Sequence, residues 1–177
     1  MKDWKKIIFI DIDGTVNSDQ WYEKTRGRSG NIDPEAIALL NQLEEFGVEV
    51  VISSSWGEDA IKPLQEVGLK LPIIGCTEHL HFYQDWLCRG NEIEKWLIEN
   101  MYTNKSGMGT KYGIDGNGTP YYRKHYHEGD IDYEYVIFDD DTDMLLGQAP
   151  NFIRVNDATG VTQEDIDKAK KILNREN

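Results

Sequence analysis

The sequence predicts an α/β fold of three layers around a central, mostly parallel sheet, and three observations predict it. Short runs of Ile, Val and Phe, apolar on both faces and of strand length, alternate with segments that carry apolar residues at helical spacing. Most connections between them are short, as in repeated strand and helix units. Several of the apolar runs end abruptly in Asp or Ser, and chemistry gathers beyond the C-terminal ends of parallel strands. With 177 residues, 39% hydrophobic and 29% charged, residues 1–177 read as a single domain with a sizeable core and no internal repeat.

Ile7 to Ile10 is the first strand, and it runs straight into Asp11-Ile12-Asp13-Gly14-Thr15. Side chains two apart on an extended chain share a side, so Asp11 and Asp13 can face one site while Gly14 turns the backbone away. Residues 16–31 are polar, carry Trp21, Tyr22, Arg26 and Arg28, and read as a flap loop over that site. Asp33 is placed as the N-cap and Pro34 as the first residue of a helix that Gly47 stops, with Ile37, Leu40, Leu43 and Phe46 inward. Val48 to Ile52 is a second buried strand ending in Ser53-Ser54-Ser55-Trp56. A short helix from about Glu58 to Val67 follows, then a third strand, Leu71 to Ile74.

Cys76 to Gly90 is irregular and aromatic, and Asn91 to Met101 resumes helical spacing with Ile93, Trp96 and Leu97 inward. Residues 103–132 break the pattern with six glycines, and Asp115-Gly116 and Asn117-Gly118 are hairpin-turn signals. This stretch reads as an insertion, a β-hairpin or a loop, before the fourth core strand. That strand, Tyr133 to Phe138, ends in Asp139-Asp140-Asp141-Thr142-Asp143. Phe152 to Val155 is a last short strand, and Thr162 caps a C-terminal helix with Ile166, Ala169, Ile172 and Leu173 on its apolar side.

The net charge of −13 argues against an extended duplex footprint, and only Lys105, Lys111, Arg123 and Lys124 in the insertion make a local basic patch. MKDWKK is followed by too few apolar residues for a signal peptide, and no run reaches membrane-spanning length, so a soluble, cytoplasmic protein with no membrane partner is expected. Cys76 and Cys88 have neither metal nor disulfide spacing, which fits a reducing compartment. His79 and His81, like His125 and His127, alternate without a further ligand and read as loop residues. A calcium loop beginning at Asp11 would need Gly at its sixth position and Glu at its twelfth, where Val16 and Tyr22 stand.

Three strand ends thus carry Asp11 and Asp13, the serines from Ser53, and Asp139 with Asp140. Carboxylates brought together in one sheet repel unless a cation lies among them, and an all-oxygen set suits Mg²⁺ rather than zinc.

DIDGT after an apolar strand, a serine ending the second, Arg89 before a helix and an acidic cluster after a later strand resemble the four motifs of the haloacid-dehalogenase (HAD) superfamily. The runs DPEAIALLNQL, VVISSSW, RGNEIEKWL, YVIFDDDTDM and GVTQEDIDKAKKIL are similar to the small capless HAD phosphatases associated with RNA-repair proteins, in a wider group that includes polynucleotide 3′-phosphatases. The resemblance implies a Rossmann-like, capless HAD fold and a hydrolase acting on phosphoric monoesters. In it Asp11 is the nucleophile and Asp13 the general acid and base. Asp11, Asp139 and the main-chain carbonyl of Asp13 hold Mg²⁺, with Asp140 a further ligand or a partner to one. Ser53, with Ser54 as the competing register, meets a phosphoryl oxygen beside Gly14 and Thr15, and Arg89 offsets the charge of the transferring group. Asp143, four residues after Asp139, competes with Asp140 as the second outer acid. Gly57 stands where relatives often carry arginine, and Arg89 where many members have lysine.

The expected function is a Mg²⁺-dependent phosphomonoesterase acting through an aspartyl-phosphate on a nucleotide or a nucleic-acid end. The alternatives are a phosphotransferase on a small metabolite and a non-catalytic binding or regulatory protein of the same fold.

Overall fold

The structure, a computed structural model, describes residues 4–26, 31–80, 87–101, 113–114, 120–121 and 133–174. Five strands, β1 (Lys5–Ile10), β2 (Val48–Ile52), β3 (Ile73–Cys76), β6 (Tyr133–Asp139) and β7 (Phe152–Arg154), form one sheet in the order β3-β2-β1-β6-β7. Every pairing in it is parallel, so the expected mostly parallel sheet is parallel throughout, in the Rossmann-like arrangement that the sequence predicts. Within the insertion, β4 (Gly113–Ile114) and β5 (Pro120–Tyr121) pair antiparallel. The Gly-rich turn and the basic patch expected in 103–132 lie outside the described residues.

The three layers follow from the alternation of side chains along β1. Ile8 and Ile10 join Val50, Ile52, Val136 and Phe138 in a core shared with the helices α2 (Pro34–Leu40), α3 (Ile61–Val67) and α5 (Gln163–Leu173). Ile7 and Phe9 point the other way, with Val51, Tyr135 and Ile137, against Ile93, Trp96, Leu97 and Met101 of α4 (Arg89–Met101). Phe9 meets Trp96 edge to face, with ring centroids 5.5 Å apart.

Several boundaries differ from the sequence expectation for local reasons. Residues 16–31, expected as a flap loop, hold a six-residue helix, α1 (Asp19–Lys24), because the Ser18 hydroxyl caps it by accepting from the Trp21 N–H at 3.3 Å. The helix expected from Pro34 tightens after Leu40 into a 3₁₀ segment, Asn41–Phe46, before Gly47 ends it. The next helix likewise begins as a 3₁₀ turn, Gly57–Ala60. β3 lies two residues later than Leu71 to Ile74, since Leu71 is a core residue outside the ladder.

Sheet register is what positions the site. Ile10 pairs with Ile52 on one side and with Phe138 on the other, so Asp11, Ser53 and Asp139 stand level at one end of the sheet. Hydrogen bonds carry the ladder past the strand ends: Asp11 N–H donates to Phe138 O at 2.9 Å and Ser53 N–H to Ile10 O at 2.8 Å.

Candidate active site

Alternation continues through those three positions. Asp11 follows Ile7 and Phe9, Ser53 follows Val51, and Asp139 follows Tyr135 and Ile137, all residues of the α4-side core. The N-terminus of α4, with Arg89 at its first position, lies on that side. Arg89 approaches Asp11 Oδ1 at 3.7 Å through Nη2 and Asp139 Oδ2 at 3.8 Å through Nε, while its Nη1 donates to Glu92 Oε2 at 2.8 Å. Segments that are 78 and 128 residues away from Asp11 along the chain thus meet it in one place.

Asp11, Asp139 and Asp140 each present a carboxylate oxygen within 4.8 Å of the others. Burial, with the negative charge of Asp140 adding to it, pushes the Asp11 carboxyl up to about 7, against the pull of Arg89, Ser54 and the Ile12 N–H. Burial and the charge of Asp11 push Asp139 up to about 8, although Arg89 and the Asp141 N–H, 2.9 Å from Asp139 Oδ1, pull it down. Asp140 is also raised, first by burial and then by Asp141, Asp157 and Asp13, its own backbone N–H opposing. Asp139 Oδ2 is buried and accepts no hydrogen bond.

An acidic cavity of about 450 Å³ opens from this group. Among the described residues, eight aspartates and Glu92 line it against one cation, Arg89, together with Gly14, Ser55 and Leu87. A phosphate dianion entering such a wall is repelled unless positive charge is added. An unpartnered buried carboxylate oxygen, three converging carboxylates and, among the described residues, no His or Cys in that group fit a hard divalent cation.

Asp13 stands apart from the three. Its side chain is exposed; Oδ1 accepts from Asn17 Nδ2 at 2.7 Å and Oδ2 from the Trp56 indole N–H at 2.8 Å. Asn17 also accepts the Gly14 N–H through Oδ1 at 3.1 Å, so one amide fastens both ends of the turn.

Gly14 is set at φ +72, and a Cβ there would lie 2.6 Å from Cγ and Oδ2 of Asp140. Gly14→Ala is therefore expected to cost at least ~1 kcal/mol from the left-handed backbone alone, and to displace Asp140. The check is thermal melting: a fall of ~2–4 °C per kcal/mol is expected, and a Tm within about 1 °C of wild type would show that the turn accepts a side chain.

The serines have separate places. Ser54 is buried and its hydroxyl pulls the Asp11 carboxyl down; the Ser53 hydroxyl is fully buried with no hydrogen-bond partner; Ser55 is exposed and lines the cavity. Thr15 is buried away from the cavity wall, its carbonyl accepting from the Val161 N–H at 3.0 Å. Asp143 does not join the carboxylate group: its Oδ2 accepts the Arg89 N–H at 2.9 Å and its carbonyl the Gly90 N–H at 3.2 Å, which fastens α4 to the acidic loop. Gly90 permits that contact, since a Cβ there would meet Leu145 N at 2.4 Å and Gln148 Oε1 at 2.7 Å.

Sequence reasoning missed Asn17, Trp56 and Glu92. Only Glu92 had a readable signal, as an acid three residues after Arg89 on one helix.

No helix among the described residues is long and apolar enough to cross a membrane. Comparison with curated proteins finds no match. A family model does match, over residues 7–108, a span that takes in Asp11, Asp13, Ser53 and Arg89 and stops short of Asp139. The chain belongs to that family, the HAD domain in Swiss Army Knife RNA repair proteins.

Proposed function

We propose that the chain is a Mg²⁺-dependent phosphomonoesterase that removes phosphate from a nucleotide or a nucleic-acid end through an aspartyl-phosphate. The observation that carries this reading is the meeting of Asp11, Asp139 and Asp140 within 4.8 Å of one another, under Arg89. A Mg²⁺ held by Asp11, Asp139, Asp140 and the main-chain carbonyl of Asp13 would offset the carboxylates and polarise the phosphoryl group.

The protein's own groups then divide the work. An oxygen of Asp11 attacks phosphorus as the ester P–O bond breaks, and Asp13 gives its proton to the leaving oxygen. Asp13 next takes a proton from water, whose oxygen attacks the same phosphorus; the Asp11 to phosphorus bond breaks, and inorganic phosphate leaves. Ser54 orients the Asp11 carboxylate. The unpartnered Ser53 hydroxyl is left to donate to a phosphoryl oxygen, and Arg89 offsets charge. Asp13 is exposed and lines the cavity, which suits a group that must meet a leaving oxygen and then water.

Two features support the substrate class. The family's place in RNA-repair proteins supports a phosphorylated RNA end or nucleotide. The acidic cavity supports recognition confined to the terminal phosphate and its neighbour, because each further phosphate would face carboxylates.

The test is hydrolysis of an aryl phosphate, of nucleotides and of 3′- and 5′-phosphorylated oligonucleotides, each with Mg²⁺ and with EDTA. Phosphate release that depends on the metal is expected; its absence across the whole panel would sink the reading.

A further inference from the structure

The cavity wall holds one buried acid that belongs to neither the carboxylate group nor the proposed chemistry. Glu92 lies one turn into α4 and is 1% exposed. Its two oxygens have different partners: Oε2 accepts from Arg89 Nη1 at 2.8 Å, and Oε1 accepts from the Leu80 N–H at 2.7 Å. Arg89 thus faces three acids, but it is bonded to one. It stops 3.7 and 3.8 Å short of Asp11 and Asp139, beyond hydrogen-bond distance, although both are buried and Asp139 Oδ2 accepts no other hydrogen bond. A guanidinium beside two such carboxylates would ordinarily close on them in a pair of short charge-assisted bonds.

We infer that Glu92 holds the Arg89 guanidinium off Asp11 and Asp139, and so keeps those carboxylates open to a divalent cation. The inference rests on the metal reading of the proposed function and adds a positioning residue to it. Arg89 and the cation are competitors for the same oxygens: an arginine that closed on Asp11 and Asp139 would neutralise them, and the cation would have to displace it. Two anchors restrain the arginine. Asp143 accepts its backbone N–H, and Glu92, itself fixed by the Leu80 N–H, accepts from its side chain. Arg89 stays close enough to meet a phosphoryl group without occupying the metal's place.

Glu92→Gln tests this at nearly constant shape. An amide has one acceptor oxygen and one NH₂, whereas Arg89 Nη1 and the Leu80 N–H donate to different oxygens of Glu92. One of them must face the NH₂, and the charge that restrains Arg89 is gone in either orientation. The readout is Mg²⁺ affinity by calorimetry on the full chain, with circular dichroism as the control for folding. Glu92→Gln should weaken Mg²⁺ binding roughly tenfold or more, the range seen when groups that orient metal ligands are changed. The same substitution in an Arg89→Met background should change it little, because the competitor is absent.

Unchanged affinity in Glu92→Gln would overturn the inference, and so would an equal loss in both backgrounds, which would mean general damage to the fold. If Glu92→Gln does not fold, Arg89→Met decides alone: Mg²⁺ affinity at or above the wild-type level is required, and a fall would show that Arg89 orders the site rather than competing for it. A wild-type chain that binds no Mg²⁺ fails the proposed function as well. Wild-type binding and turnover together with unchanged affinity in Glu92→Gln fails this inference only.

Discussion

Asp11→Asn is expected to abolish turnover and, in the same protein, to raise the melting temperature measured in EDTA at pH 8. The two effects have one origin. Asp11 is the carboxylate that the proposed reaction joins to phosphorus, and an amide of the same shape is a poor nucleophile; the loss should be on the order of 10⁴-fold or more, as when other hydrolases lose a nucleophile or its immediate partner. Yet that carboxylate is costly to the metal-free fold. It is 7% exposed, its carboxyl is pushed up to about 7, and it in turn helps push Asp139 up to about 8. Asparagine keeps an oxygen for the Ser54 hydroxyl and removes one of two facing buried charges, at the expense of the 3.7 Å approach of Arg89. An unchanged rate would remove Asp11 as the nucleophile; a lower metal-free Tm would show that the pair with Arg89 outweighs the repulsion.

How much of this could be read in the chain depends on how local each cause is. The segment from Ile7 to Gly14 was legible because its pattern is self-contained: apolar on both faces, then acids two apart, then a glycine that the structure sets at φ +72. The level placement of Asp11, Ser53 and Asp139 was legible only as a consequence of a parallel sheet, and the Ile10 pairings with Ile52 and Phe138 now supply it. The competition between Asp140 and Asp143 could not be decided from spacing. Asp140 joins the carboxylate group through the close approach of Gly14, whereas Asp143 is taken by the N-terminus of α4, a contact between segments 54 residues apart. The choice among the serines was hidden for a similar reason, since a turn after β2 sends three successive hydroxyls to three different surroundings. The helix α1 escaped notice because six residues carry too little periodicity, and the Ser18 cap that makes it needed weighing against a polar context. Trp56 and Asn17 hold Asp13 from either side of a turn that no sequence spacing encodes.

The same carboxylates predict how stability depends on pH and on metal. Asp11 and Asp139 titrate near 3.8 when unfolded and at about 7 and about 8 in the fold, so between these limits the native state binds more protons than the unfolded chain. Stability therefore falls as pH rises through that window, and the fall ends once both are ionised in the native state. In EDTA the Tm should drop between pH 5 and pH 8; each pKa unit is worth ~1.4 kcal/mol, and each kcal/mol moves the Tm of a domain this size by ~2–4 °C. A divalent cation supplies at high pH the positive charge that protons supply at low pH. Mg²⁺ should consequently raise the Tm much more at pH 8 than at pH 5, where it must compete with protons for the same oxygens. Asp139→Asn separates this from the titration of other groups: it should flatten the metal-free pH profile and shrink the Mg²⁺ shift together. A Mg²⁺ shift as large at pH 5 as at pH 8, or a metal-free Tm that rises across the window, would mean that the three carboxylates are not where the cation binds.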